Sequence, residues 1–239
     1  MLRIIMLKRK WVILCTFLIS VLLMVNLFLH KTIRTSTLPT LNKVIVVDAG
    51  HGGIDGGAVS RGGIYESHIN LEIALKLRRL LEQSGAIVIL TRDTDMGLYS
   101  DRGRIRDKKN EDLRNRKDLI NSSEADILIS IHLNAFPQTQ YYGAQTFYPK
   151  DSEKSKKLAE LIQEEMLRVL NNDNHRVSKV KSDIYLMQET KLPTVLVECG
   201  FLSNPMEERL LQQPTYQEKV AWSVYIGVLR YFQEEDQAD

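Results

Sequence analysis

The chain has 239 residues, 44% of them hydrophobic and 26% charged, with a formal net charge of +2. That composition excludes a disordered protein, and a charge so near zero, without aromatic–basic interleaving, excludes a dedicated nucleic-acid binder. Two cysteines, Cys15 in an apolar N-terminal stretch and Cys199 in a later strand, fall short of a disulfide framework and read as isolated thiols.

Trp11 to Leu29 carry no charged residue. As a helix the stretch would be about 28 Å long, close to the ~30 Å hydrocarbon thickness of a bilayer. Arg3, Lys8, Arg9 and Lys10 precede it and only Lys31 and Arg34 follow closely. The positive-inside rule then places the N-terminus in the cytoplasm and everything after Lys31 outside. A cleaved signal peptide would need a shorter apolar core and small residues at a cleavage site, and His30-Lys31-Thr32-Ile33-Arg34 offers no such match. The expected organisation is a cytoplasmic stub and signal-anchor over 1–31, a polar linker over 32–42, and one folded domain over 43–239.

Val44 to Val47 are four consecutive β-branched residues, which reads as a buried strand. The strand breaks into a loop in which Gly50, Gly52, Gly53, Gly56 and Gly57 surround His51 and Asp55. Glycines at a strand end let the backbone approach a ligand or a neighbouring segment closely. A histidine satisfied by backbone carbonyls in a tight turn fits this stretch equally well. From Glu66 the pattern turns helical, with Ile69, Ile73, Leu77 and Leu80 or Leu81 at three- and four-residue steps until Gly85. Glu66 sits in the first turn, where unpaired N–H groups favour a carboxylate whatever else it does.

Ala86 to Thr91 is a second strand and completes a β-α-β unit, expected to be right-handed. Asp101 to Asp118 hold eight Lys/Arg and five Asp/Glu, a density read as a solvated helix face. Ile127 to Ala135 is a third strand with His132 near its end, and Ala144 to Tyr148 a fourth. Leu158, Ile162, Met166 and Val169 mark a helix from about Ser152 to Leu170. The polar segment from Asn171 to Gln188 suggests only a short strand or turn around Ile184 to Met187. Pro193 to Val197 form a further strand leading into Glu198, a carboxylate that is costly to bury without a partner. Asn204, Pro205 and Glu207 give a cap, a first-turn proline and a third-position acid, and Thr215 with Glu218 repeats the signature before a final helix through Phe232. The fold class is α/β: a mixed, largely parallel sheet flanked by helices on both faces.

His51, His132 and Glu198 each lie near the end of a strand, and Glu66 opens the helix after the first. Neighbouring strands pointing the same way would bring all four to one edge of the sheet. His-Glu-His matches a catalytic zinc set, three protein ligands with a fourth position for water, and a further carboxylate such as Glu198 could move the proton. The residues are scattered along the chain, so spacing alone yields only a candidate site. Arg92, Asp93, Asn134 and Asn204 read as loop-holding residues, and His68 and His175 as surface residues.

Four motifs carry a resemblance: Val47-Asp48-Ala49-Gly50-His51-Gly52-Gly53, the Glu66 helix, Ser130-Ile131-His132-Leu133-Asn134-Ala135, and Val197-Glu198-Cys199-Gly200-Phe201-Leu202-Ser203-Asn204. Together, and in this order from about Lys43 to Phe232, they resemble the zinc-dependent N-acetylmuramoyl-L-alanine amidases of the Amidase_3 type. The resemblance implies zinc on His51, Glu66 and His132, with Glu198 as the catalytic carboxylate. The domain over 43–239 is then catalytic, and its substrate is the muramoyl-peptide amide of peptidoglycan on the outer side of the membrane. Cys199 departs from the aliphatic residue frequent there; on a strand it points away from Glu198 and is not expected to be a ligand. A single catalytic domain behind an anchor, without wall-binding repeats, resembles the sporulation amidases. That narrower likeness implies a role in forming muramic-δ-lactam in spore cortex peptidoglycan. A zinc peptidase cutting within the stem peptide, and a wall-binding protein that kept the fold without the chemistry, are the rival readings. No residue pattern names a protein partner.

Overall fold

The computed structural model of the protein describes residue 14, residues 16–24 and residues 38–238. Met1–Thr37 and Leu38–Asp239 are two separate compact units. In the first, residues 16–24 are helical, and Phe17, Ile19, Leu22, Leu23 and Met24 are exposed. The anchor expected over Trp11 to Leu29 extends onto residues outside those described. Among the described residues no helix is long and apolar enough to cross a membrane.

In the second unit a six-stranded sheet has the order β2-β1-β3-β6-β4-β5. The strands are β1 (Val44–Ala49), β2 (Ile87–Leu90), β3 (Ile127–Asn134), β4 (Gln145–Tyr148), β5 (Lys179–Val180) and β6 (Thr194–Phe201). β2, β1, β3 and β6 run parallel; β4 is antiparallel to β6, and β5 parallel to β4. The helices are α1 (Glu66–Gln83), α2 (Ile105–Ser122), α3 (Glu153–Leu170), α4 (Tyr185–Glu189), α5 (Pro205–Leu211) and α6 (Pro214–Ala238). The mixed, largely parallel sheet read from the sequence is the one observed. Packing begins before Lys43: Thr40 is fully buried, and its hydroxyl donates to the Ser84 carbonyl at 3.1 Å.

Alternation along the strands sorts their side chains between two cores. Ile45, Val47, Ala49, Ile129, Ile131, Val197 and Cys199 join Ile69, Ile73 and Leu77 of α1, Leu158 and Ile162 of α3, and Val220 and Val224 of α6. Val46 and Leu128 face the other way, with Ile120 of α2 and Leu186 of α4. Asp48, Ser130 and His132 share that second parity, so polar groups replace apolar ones on one face as the strands approach their C-terminal ends.

At this end the solvated charged helix read from the sequence is the one observed, except that within Asp101–Asp118 it turns two charged residues, Asp112 and Arg116, inward. α2 buries Arg116, whose side chain is 2% exposed. Its guanidinium bonds Asp48 at 2.7 Å, Asp112 at 2.8 Å, the Ala49 carbonyl at 2.8 Å and the His51 carbonyl at 2.6 Å. Thr91 and Ser130 hydroxyls donate to the same Asp48 at 2.8 and 2.6 Å. Arg92 completes the anchorage, donating to the carbonyls of Ala49, Gly50, Ser67 and Thr94. The loop after β1 is therefore held by two guanidinium groups, and loop-holding is the role read for Arg92.

Arg116→Met leaves Asp48 and Asp112 as carboxylates without their cation. It is expected to lower the unfolding free energy by about 3–5 kcal/mol, seen as a lower denaturation midpoint at unchanged m-value. Acid acts on the same pair. Burial pushes the Asp48 carboxyl up, but the Arg116 charge, with His132 and the Ser130 hydroxyl, outweighs it and holds the pKa at about 2 against an ordinary 3.8. The unfolded chain takes up this proton first as pH falls. The pair's stabilisation, on the order of 2 kcal/mol, is therefore complete above about pH 5. It is lost as pH falls from 3.8 towards the folded value of about 2.

Candidate metal centre

Glu66 is the first residue of α1 and is buried. Its carboxylate accepts the Leu133 N–H at 2.9 Å and the Ala58 N–H at 2.8 Å. Asn70, one turn on, donates to the same carboxylate at 3.3 Å and to the Gly50 carbonyl at 3.2 Å. These four bonds fix the carboxylate between the glycine loop and β3.

The two imidazoles approach it from either side. His51 Nε2 lies 3.4 Å from Glu66 Oε2, and His132 Nδ1 lies 3.1 Å from Glu66 Oε1. The rings meet edge to face, with centroids 4.9 Å apart. One ligand-type atom from each of the three residues lies within 4.8 Å of the other two. His51 has φ 62°, in the left-handed region, at a cost of about 1–2 kcal/mol. The Arg116 bond to its carbonyl holds that conformation. Two glycines are explained by the same crowding. A Cβ on Gly50 would sit 2.3 Å from His132 Nε2, and one on Gly57, at φ +69°, 2.6 Å from Glu66 Oε2.

The electrostatics follow from this packing. Burial works to raise Glu66, but hydrogen bonds from His132 and His51 outweigh it and hold the carboxyl well below the usual range. Burial also disfavours a charged His51, yet its bonds to Asp55 and Glu66 raise it to about 9. A cation belongs among these groups, and a metal ion would take the place of that proton. Donors sharing one tetrahedral ion at bond lengths of about 2.0–2.2 Å stand roughly 3.4 Å apart; each imidazole lies near that distance from one Glu66 oxygen, Oε2 for His51 and Oε1 for His132, and one donor atom from each residue lies within 4.8 Å of the others. Two imidazoles and a carboxylate therefore fit a divalent metal.

Glu198 stands beside this group. It is the register partner of His132 on β3 and of Gln145 on β4. Its Oε2 is buried and has no hydrogen-bond partner among the described residues. Burial first, and the Glu66 charge in addition, push its carboxyl up, against His132, Lys181 and His51. Just beyond it the β3–β6 register shifts, so β6 continues to Phe201 rather than ending at the acid. Cys199 points into the opposite core and is fully buried.

Comparison with known proteins decides what this arrangement belongs to. Residues 45–230 match the Amidase_3 family, N-acetylmuramoyl-L-alanine amidase. The chain belongs to that family. It is an N-acetylmuramoyl-L-alanine amidase, an enzyme of the class that cleaves the amide joining muramic acid to the stem peptide. A germination-specific N-acetylmuramoyl-L-alanine amidase of Bacillus subtilis (strain 168) is 44% identical over 234 residues, covering 95% of this chain and 96% of the relative. The structure of the CwlD amidase from Clostridioides difficile, in complex with the GerS lipoprotein, has 53% identity and a TM-score of 0.80, covering 81% of this chain and 100% of that one. An N-acetylmuramoyl-L-alanine amidase of Clostridium difficile 630 follows at 32% identity and a TM-score of 0.71, covering 81% and 98%.

Within this amidase, three further residues shape the His51–Glu66–His132 group without having stood out in the sequence. Asp55 accepts from His51 Nδ1 at 2.9 Å and is itself held by Lys109 at 2.7 Å. That bond turns Nε2 toward Glu66, the arrangement by which a carboxylate orients a metal-binding imidazole. An acid four residues after a loop histidine was the available signal for Asp55. Asn70 and Arg116 each have one partner a helical turn away, Glu66 and Asp112, but the contacts that tie them to the loop after β1 and to β1 itself reach 20 and 68 residues along the chain, which no local pattern shows. Asn204 holds a loop as read, capping α5 and donating to the Thr139 carbonyl at 2.9 Å. His68 and His175 are exposed, with side chains 54% and 84% accessible.

Proposed function

We propose that His51, Glu66 and His132 hold one zinc ion and that Glu198 moves the proton as this amidase hydrolyses the lactyl–L-Ala amide of peptidoglycan. The observation that carries the reading is the meeting of the three donor residues, with a buried, unpartnered Glu198 carboxylate oxygen on the adjoining strand. Zinc is the ion of choice for imidazole and carboxylate donors that leave a position open. When bound, zinc supplies Lewis-acid polarisation of the amide carbonyl and eases deprotonation of water.

The chain's own residues do the rest. Glu198 takes a proton from the attacking water as the new C–O bond forms. It then gives that proton to the L-Ala nitrogen as the C–N bond breaks, so the peptide leaves as an amine and the lactyl group remains as a carboxylic acid, whose proton passes to the amine or to solvent. A carboxyl pushed up by burial is suited to both transfers. Asp55 keeps the His51 ring in place, and the backbone N–H groups of Ala58 and Leu133 keep Glu66 ionised and aimed.

The setting we infer is spore cortex, in the formation of muramic-δ-lactam. Its support is the germination-specific Bacillus relative together with the sequence resemblance to sporulation amidases. An N-terminal signal-anchor, with the catalytic domain on the extracytoplasmic side, is part of the same proposal. It rests on the uncharged run from Trp11 to Leu29 and the basic residues before it.

Mass spectrometry of peptidoglycan digested by the purified protein tests the reaction. Free stem peptides that begin with an intact L-Ala are expected. Cleavage inside the stem would make the protein a peptidase instead.

A further inference from the structure

A cleft of about 620 Å³ runs from Gly50, His51 and His132 to α2, where Ile105, Arg106, Lys109, Asn110 and Leu113 line it. These five positions recur at the helical repeat and form one continuous face of α2. Ile105 is 65% and Leu113 37% exposed, so the face is open among the described residues of this unit. Its polar residues divide into two kinds. Lys109 is engaged with Asp55, and the acids lining the cleft are matched: Asp48 and Asp112 by Arg116, Asp55 by Lys109 and His51. Arg106 and Asn110, one turn apart, make no hydrogen bond or ion pair among the described residues and are not otherwise engaged. The cleft therefore presents donors without acceptors beside the metal group, and an apolar surface around them.

We propose that this face of α2 is the stem-peptide subsite of the amidase, and that Arg106, with Asn110 beside it, recognises a carboxylate of the peptide. The inference rests on the amidase reading above and names what the cleft selects. The second residue of a peptidoglycan stem is a D-glutamate linked through its side-chain carboxyl, so its α-carboxylate is free unless it is amidated. An extended chain advances about 3.3–3.6 Å per residue, which sets that carboxylate about two residues' reach from the scissile carbonyl. A guanidinium binds a carboxylate through two parallel N–H donors, and a carboxamide cannot accept both. The subsite thus distinguishes D-glutamate from D-isoglutamine at the second position. Ile105 and Leu113 would pack against the aliphatic parts of the peptide.

The test is calorimetric titration of the zinc-loaded full chain with two tripeptides, L-Ala–γ-D-Glu–L-Lys and its α-carboxamide counterpart. The carboxylate peptide is expected to bind about tenfold or more tightly. Arg106→Gln should erase the difference by weakening only the carboxylate peptide, and Arg106→Lys should keep part of it. Zinc content and melting temperature should be unchanged in both variants, since Arg106 is exposed and unpaired. Equal binding of the two peptides by the unaltered protein, or a preference that survives Arg106→Gln, would overturn the subsite. Turnover of the matching muropeptides, assayed alongside, separates the two readings. Selective binding without hydrolysis supports the subsite and contradicts the reaction; hydrolysis with no preference in binding does the reverse.

Discussion

Glu198→Ala is expected to bind zinc with unchanged stoichiometry and to lose kcat by about three orders of magnitude. The two halves of that expectation have separate causes. Glu198 is outside the group of His51, Glu66 and His132 whose donor atoms meet, so its removal leaves the proposed metal ligands and the bonds that hold Glu66 in place. Its buried carboxylate oxygen has no partner among the described residues, so the variant leaves no orphaned donor behind and should fold. What is lost, in the proposed mechanism, is the group that accepts the water's proton and returns it to a poor leaving group. Glu198→Gln, which keeps shape and polarity without the acid–base function, should be equally inactive. Near-normal turnover by either variant, with zinc retained, would remove Glu198 from the mechanism.

His132→Ala should fail differently. Elemental analysis is expected to find the zinc gone, or held at least 100-fold more weakly, and activity reduced to background. His132 is paired with Glu66 at 3.1 Å, so its loss removes one of three donors and also a partner that keeps the carboxylate ionised. His51→Ala should behave alike, with an added cost at Asp55, which loses its imidazole but keeps Lys109 at 2.7 Å. The pattern across variants matters more than any single loss: ligand variants without metal, and a Glu198 variant with metal and no turnover.

Much of this was legible in the sequence because it is local. An uninterrupted β-branched run marked β1, runs rich in β-branched residues marked β3 and β6, and three- and four-residue apolar steps marked α1 and α3. Asn204 caps α5, accepting the backbone N–H groups as its cap–proline–acid signature forecast, and Ser152 caps α3 at the start read for that helix. His51, Glu66 and His132 come together because parallel strands deliver their C-terminal ends, and the helix following the first, to one edge. What stayed hidden depends on distant pairs or on elements too short to show a period. Arg116 lies in a stretch dense in both signs, and only its contact with Asp48, 68 residues away, reveals that it is buried. α4 has five residues, little more than one turn, and the segment suggested a strand or turn instead. The two-residue β5 at Lys179–Val180 is set by its pairing with β4 rather than by its own sequence.

The most direct measurement is anomalous X-ray scattering from crystals of the zinc-loaded protein, recorded at the zinc absorption edge. One peak is expected, bonded to His51, Glu66 and His132 at about 2.0–2.2 Å, with Glu198 nearby and uncoordinated. A peak bonded to other side chains, or one that takes Glu198 as a ligand in place of Glu66, would contradict the division of labour between the three donors and the acid.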